Sequence, residues 1–313
     1  MEYPSTGLIP HVPQPDDHRL VGFAAIAPVF DWSKVAPKNT APPGKDQNGS
    51  GSCTSQAAGY SFYNKTKIDI SRRDPYANTF LPGGGAYLIS PFQWLAQHGY
   101  LDQIKFPDPD QETEQIMETT LQITDGDRIR TFQITAAISP DVGIDAVAKT
   151  IMDHDGAVIG IKGSWSKGWE KSWVRPYYAG QDDWQHALFC LNPIITPDNL
   201  HAIDAMSSWY KSIGPDGQQC THHVLDQNYF ANGGVFELIA VDIKELNDMS
   251  QKYTISIAGK CGILHVDQDG GWIEWANNEA DYAYMGKKYS KPTCSPDPAH
   301  AGKWIFAPFD FQK

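Results

Sequence analysis

The stretch Gln47-Asn48-Gly49-Ser50-Gly51-Ser52-Cys53-Thr54-Ser55-Gln56-Ala57-Ala58 decides how this chain is read. Its first half is small and glycine-rich. Its second half runs into residues that suit a helix, predicted over 52–65. Such a loop delivers one cysteine to the start of a helix. Glycines let the backbone come close to a bound molecule. A helix N-terminus offers free N–H groups and the positive end of a dipole, which favours thiolate over thiol. Gln47 adds a side-chain N–H that can meet a developing oxyanion. The plain alternative is a Gly/Ser loop carrying an incidental buried cysteine.

A cysteine nucleophile needs a base. The stretch Asp182-Asp183-Trp184-Gln185-His186-Ala187-Leu188-Phe189-Cys190-Leu191 sets His186 at the head of an apolar strand, 133 residues after Cys53. An imidazole beside a thiol stabilises the thiolate and later protonates the leaving amine. Between the two lies Gly83-Gly84-Gly85-Ala86-Tyr87, ahead of a predicted helix from Ile89 to His98 closed by Gly99.

Together these segments resemble the papain-like cysteine proteases, in which Gln, a Gly-Ser-Cys loop and a helix follow in that order. The Gln47–Cys53 spacing agrees with that family. So do the glycine run with its helix and Gln97-His98-Gly99, and the His-Ala strand. The Cys–His separation falls within the roughly 130–150 residues of the family. The resemblance implies an α+β fold: a papain-like two-lobed domain with a helical lobe and a β-barrel-like lobe. It implies peptide-bond hydrolysis through a thiolate and an acyl-enzyme, with a peptide or protein as substrate. It makes Cys53 the nucleophile and His186 the base and acid. Gln47 with the Cys53 N–H would form the oxyanion hole, and Gly84 and Gly85 would bind peptide backbone as a short strand.

The chain departs from the family at four places. Ser50 stands where a second cysteine usually makes a disulfide, and Thr54 where an aromatic residue follows the nucleophile. Ala86 takes a usual glycine position. Aligning Ser208-Trp209 with the family's Ser-Trp puts Ser207 where an asparagine orients the histidine. A hydroxyl can accept from an imidazole N–H, though it is shorter than an amide. Asp204 would replace it only if the strand bulged. The departures leave a second reading open: a catalytically weakened papain-like fold serving as a structural or binding module in a larger assembly. A third is acyl transfer to an amine through the same intermediate.

The chain has 313 residues, 41% of them hydrophobic and 20% charged, which is a globular composition. Its net charge of −12 argues against nucleic acid or an anionic membrane as partner. No apolar run approaches the roughly 20 residues that span a bilayer. Ala25-Ile26-Ala27 mimics a signal-peptidase site, but nothing upstream of His18 is basic. No cofactor or metal is expected. Cys220-Thr221-His222-His223 lacks a second pair of ligands, and Asp267-Gln268-Asp269-Gly270 reads as a turn. Cys190, Cys220, Cys261 and Cys294 form no dense framework, which favours reduced thiols.

The chain divides into a proline-rich extension over 1–30, a papain-like domain over 31–242 and a β-rich appendage over 243–313 that is a possible assembly surface. Residues 66–82 read as a polar connection and 102–135 as an acidic, turn-rich stretch. A helix is expected from Asp141 to His154 and a strand over 157–161. An aromatic surface loop is expected over 164–178, and strands over 253–257 and 272–275. Thirty residues before Asp31 are too few for the family's usual helical inhibitory segment, so none is expected.

Overall fold

Alternation along three long strands sorts apolar side chains to two sides of one sheet. The computed structural model describes residues 7–10, 29–35, 37–164, 183–209, 212–213, 219–245, 251–257, 260–267, 270–275, 294–296 and 304–306. The expected aromatic loop, beyond Ser164, and the signal-like segment Leu20–Ala27 lie outside the described residues. So do the side chains of Cys220, Cys261 and Cys294. The chain divides into two compact units, Met1–Glu245 and Leu246–Lys313.

In the first unit the elements are β1 (Leu8–Ile9), α1 (Cys53–Thr66), α2 (Arg73–Thr79), β2 (Ala86–Tyr87) and α3 (Ser90–His98). Then come α4 (Glu114–Glu118), β3 (Phe132–Ile138), α5 (Ile144–His154), β4 (Ala157–Gly163), β5 (Trp184–Ile195) and β6 (His201–Met206). The unit closes with β7 (Ser212–Ile213), β8 (Gln219–Cys220), β9 (His222–Asp226), α6 (Gln227–Ala231) and β10 (Val235–Glu245). Six strands form one antiparallel sheet in the order β3-β10-β4-β5-β6-β9.

On β5, Ala187, Phe189 and Leu191 join one buried cluster with α1 and α3 side chains, while Leu188 and Cys190 join another under α5. The same split separates Val158 from Ile159 and Ile239 from Leu238. A strand covered on both sides needs apolar residues at every position, which explains the unbroken run from Ala187 to Leu191. Helices thus lie against both sides of the sheet, an α+β arrangement as the resemblance implied.

Helix α1 starts at Cys53 and is buried on most sides. Gly59 lets the buried Arg72 pack against it, since a Cβ there would sit 2.7 Å from Arg72 Nε. Helix α3 ends at Gly99, as expected, with φ +76°. Three features of the fold differ from the sequence reading. The connection 66–82 contains α2, because Pro75 falls in its first turn, where a missing N–H costs nothing. Helix α5 begins at Ile144 rather than Asp141, whose carboxylate instead accepts from Gly143 N–H at 2.8 Å. The acidic stretch 102–135 contributes α4 and the edge strand β3.

That stretch is anchored by Asp108, which accepts from the backbone N–H groups of Arg72 (2.8 Å) and Arg73 (3.0 Å). Asp74 holds Arg128 through a buried ion pair of 2.8 Å. Both contacts draw residues 108–128 against α2, so that Glu112 and Glu114 come to lie against the loop before Cys53.

The second unit carries β11 (Gln251–Ile257), β12 (Lys260–Asp267) and β13 (Gly270–Trp275) in one antiparallel sheet, and β14 (Cys294–Pro296) paired with β15 (Trp304–Phe306). Asp267 of β12 pairs with Gly270 of β13, and Gln268 and Asp269 between them lie outside the described residues. Among the described residues no helix is long and apolar enough to cross a membrane.

Candidate active site

Cys53 is the first residue of α1 and is fully buried. His186 is the third residue of β5 and is equally buried. The backbone N–H groups of Ala187, Thr54 and Cys53 itself face the thiol. Cys53 therefore lies beside the peptide that joins His186 to Ala187. Those N–H groups favour thiolate, but burial outweighs them and pushes the thiol up to about 12. Burial alone depresses His186 to about 3. Both groups are neutral near pH 7 in this state.

Ser207 follows β6 directly, and its Oγ lies 2.9 Å from His186 Nε2. The same Oγ accepts from the Trp209 backbone N–H at 3.0 Å. The Trp209 ring stacks on the imidazole at 3.7 Å and 19°. With Nε2 engaged, Nδ1 is the remaining ring atom, and it is buried without a hydrogen-bond partner. An amide carbonyl at this position would only accept, and would hold the proton on Nε2. A hydroxyl donates or accepts, so Ser207 orients the ring without selecting its tautomer. Asp204 is engaged elsewhere, with His222 Nδ1 at 3.0 Å.

Gln47 is fully buried and ties the nucleophile loop to the strand end. Its Nε2 donates to the Ser50 carbonyl at 2.6 Å, its Oε1 accepts from Ser208 Oγ, and its backbone N–H donates to Ser208 O at 2.9 Å. One amide N–H is thereby used within the loop. Gly83, Gly84 and Gly85 all have positive φ, at +97°, +90° and +79°. Such a run is open to glycine and strained for other residues.

The short strand that follows these glycines pairs with a segment of the chain itself. β1 pairs in parallel with β2, Leu8 opposite Ala86 and Ile9 opposite Tyr87. Ala86 N–H donates to the Gly7 carbonyl at 2.9 Å. Gly7 presses on the nucleophile loop so closely that a Cβ there would lie 2.0 Å from the Gly51 carbonyl oxygen. Leu8 is buried in the same apolar cluster as Cys53 and Ala187. A short extended segment therefore lies against the loop before Cys53, where no inhibitory helix was expected. Its sequence signal is Gly7-Leu8-Ile9 between Pro4 and Pro10: a stretch barred from helix, with two aliphatics to bury. Also missed from sequence were Glu112, on the hydroxyls of Ser50 and Ser52, and Glu114, on the Gly51 N–H and the Tyr76 hydroxyl.

Comparison with solved structures gives xylellain, a cysteine protease from Xylella fastidiosa, at a TM-score of 0.59 and 15% identity, over 77% of this chain and 98% of that one. The fold is that of the papain-like cysteine proteases. Procathepsin L2 from Tenebrio molitor larval midgut matches the papain-like fold of this chain at a TM-score of 0.54 and 14% identity, over 76% of this chain and 78% of that one. Bromelain from Ananas comosus, solved with the inhibitor E64, matches at 0.51 and 13%, over 66% of this chain and 99% of bromelain. No protein-family model matches the sequence. Nor does any curated protein.

Proposed function

We propose that this papain-like chain is a cysteine peptidase whose described state is closed. The observation that carries the reading is the joint one at Cys53: a thiol at a helix start, beside a histidine strand whose imidazole is held at Nε2 and bare at Nδ1. In the open state Nδ1 takes the Cys53 proton and the thiolate attacks the scissile carbonyl carbon. The oxyanion is met by the Cys53 N–H and the second Gln47 amide N–H. The imidazolium then gives its proton to the leaving amine as the C–N bond breaks. Water, deprotonated by the imidazole, attacks the thioester and releases the acid and the thiol. The substrate is an extended peptide along Gly84, Gly85 and the strand β2 that follows them, where Leu8 and Ile9 now pair with Ala86 and Tyr87, so those residues must leave first.

The test uses E64, which bromelain was solved with, and iodoacetamide. Cys53 is expected to label faster than the other thiols once the cleft opens, and Cys53→Ala or His186→Ala removes both labelling and hydrolysis of a fluorogenic peptide. Ser207 keeps the binding-module reading alive. That reading predicts labelling equal across all five thiols.

A further inference from the structure

Beneath the nucleophile loop lies a buried carboxylate that the chemistry above does not use. Glu112 Oε2 accepts from two hydroxyls, Ser52 Oγ at 2.9 Å and Ser50 Oγ at 3.1 Å. Its Oε1 accepts from Gln56 Nε2 at 2.8 Å, and its backbone carbonyl accepts from Gly49 N–H at 3.4 Å. Ser50 Oγ also reaches the Gln47 carbonyl at 3.0 Å. One side chain thus gathers both ends of the Ser50-Gly51-Ser52 arch and the first turn of α1. Ser50 is the position where papain-like enzymes usually carry a disulfide cysteine. Here a carboxylate bridge stands in that place.

We infer that Glu112 is a positioning residue, whose carboxylate holds the Ser50–Ser52 arch so that the Cys53 thiol and N–H keep their aim. This rests on the peptidase reading above. A carboxylate is suited to the task because it accepts several hydrogen bonds at once, and charge-assisted bonds are shorter and stronger than neutral ones. Burial, then the charge of Asp108, raises Glu112 to about 7, while Ser52, Ser50 and Gln56 oppose the rise. The titratable groups facing it are Asp108 on its own segment and Tyr60 on α1, with Arg72 beyond, paired to Asp108. Protonation removes the charge and leaves Glu112 with fewer lone pairs for the arch. The grip is therefore full above pH 7 and weakens below it.

The test compares the full chain with Glu112→Gln and Glu112→Asp, reading Cys53 alkylation rate, kcat, KM and thermal midpoint from pH 5 to 9. Glu112→Gln is expected to lower kcat and the alkylation rate about ten-fold, leave KM within two-fold, and erase the acidic limb near pH 7. Its midpoint holds or rises. Glu112→Asp keeps the limb but loses rate, since its shorter arm cannot span both hydroxyls, and Ser50→Ala costs a few-fold. A merely structural group would lower the midpoint and leave kcat and the limb alone. Wild-type rates and limb in a folded Glu112→Gln, with Cys53 still selectively labelled, overturn the inference and spare the peptidase reading. Should Glu112→Gln not fold, an unchanged rate in Glu112→Asp overturns it equally. Absence of selective Cys53 labelling in the parent chain overturns both.

Discussion

At the scale of single residues the site turns on what holds His186. Cys53, His186 and Gln47 were legible because their neighbours carry the pattern: a Gly-Ser-Cys loop, a His-Ala strand and a fixed Gln–Cys spacing. Ser207 was legible only through Ser208-Trp209 beside it, and the structure brings its hydroxyl to Nε2. Glu112 was not legible. Its partners are 56–62 residues away in sequence, and nothing local marks a glutamate in an acidic stretch as buried. Ser207→Ala removes two hydrogen bonds of its Oγ, the one with His186 Nε2 and the one from the Trp209 N–H, each worth about 1 kcal/mol. It is expected to lower kcat about five- to ten-fold by freeing the ring, with Trp209 still covering it, and steady-state kinetics with a fluorogenic peptide measure that loss. Glu112 carries a separate stability signature. Its folded value is raised from 4.5 to about 7. Between those values the folded chain holds a proton that the unfolded chain has lost, so stability falls as pH rises through this window. Glu112→Gln has no such proton, and relative to the parent it is expected to gain about 3 kcal/mol between pH 4.5 and pH 7 in denaturant titrations.

At the scale of elements, the strand β1 is the piece that sets the described state. Helices α1 and α3 and strands β4 and β5 were readable from period and end signals: Gly99 closing α3, and an unbroken apolar run in β5. A two-residue strand has no periodicity to read, and its pairing is with a segment 78 positions on. Burying one leucine contributes about 2 kcal/mol, which corresponds to about thirty-fold in an equilibrium. Leu8→Asp is therefore expected to raise the population of the open cleft by at least that factor. Gly7→Val acts more sharply, because any side chain at Gly7 meets the Gly51 carbonyl at 2.0 Å. It is expected to release β1 and speed Cys53 alkylation with no change in kcat for the open form. An unchanged alkylation rate in both variants would show that β1 is not what covers Cys53.

At the scale of the whole molecule, the net charge of −12 argues against polyanionic partners, and the α+β architecture followed from the resemblance. The division into units was visible only as a change of pattern after Asp242. We place the boundary at Glu245, where the first compact unit ends. A chain ending there is expected to keep its thermal midpoint within a few degrees and its Cys53 labelling intact. Acid favours opening. In the closed state His186 titrates at about 3 instead of 6.5, because burial disfavours its charged form. As pH falls below 6.5, an exposed imidazole takes a proton that the closed site refuses. Each pH unit down to about 3 then favours the open or unfolded state by up to ten-fold. The lag before labelling is expected to shorten between pH 7 and pH 5, and to be absent in Gly7→Val. The central claim is that Cys53 and His186 form a working thiol–imidazole pair once β1 leaves. The most direct measurement is mass-spectrometric labelling of Gly7→Val by E64 across all five cysteines near neutral pH. The account predicts one adduct, on Cys53, formed fastest and lost in His186→Ala. Equal labelling of every thiol, or a Cys53 adduct that persists in His186→Ala, would contradict it.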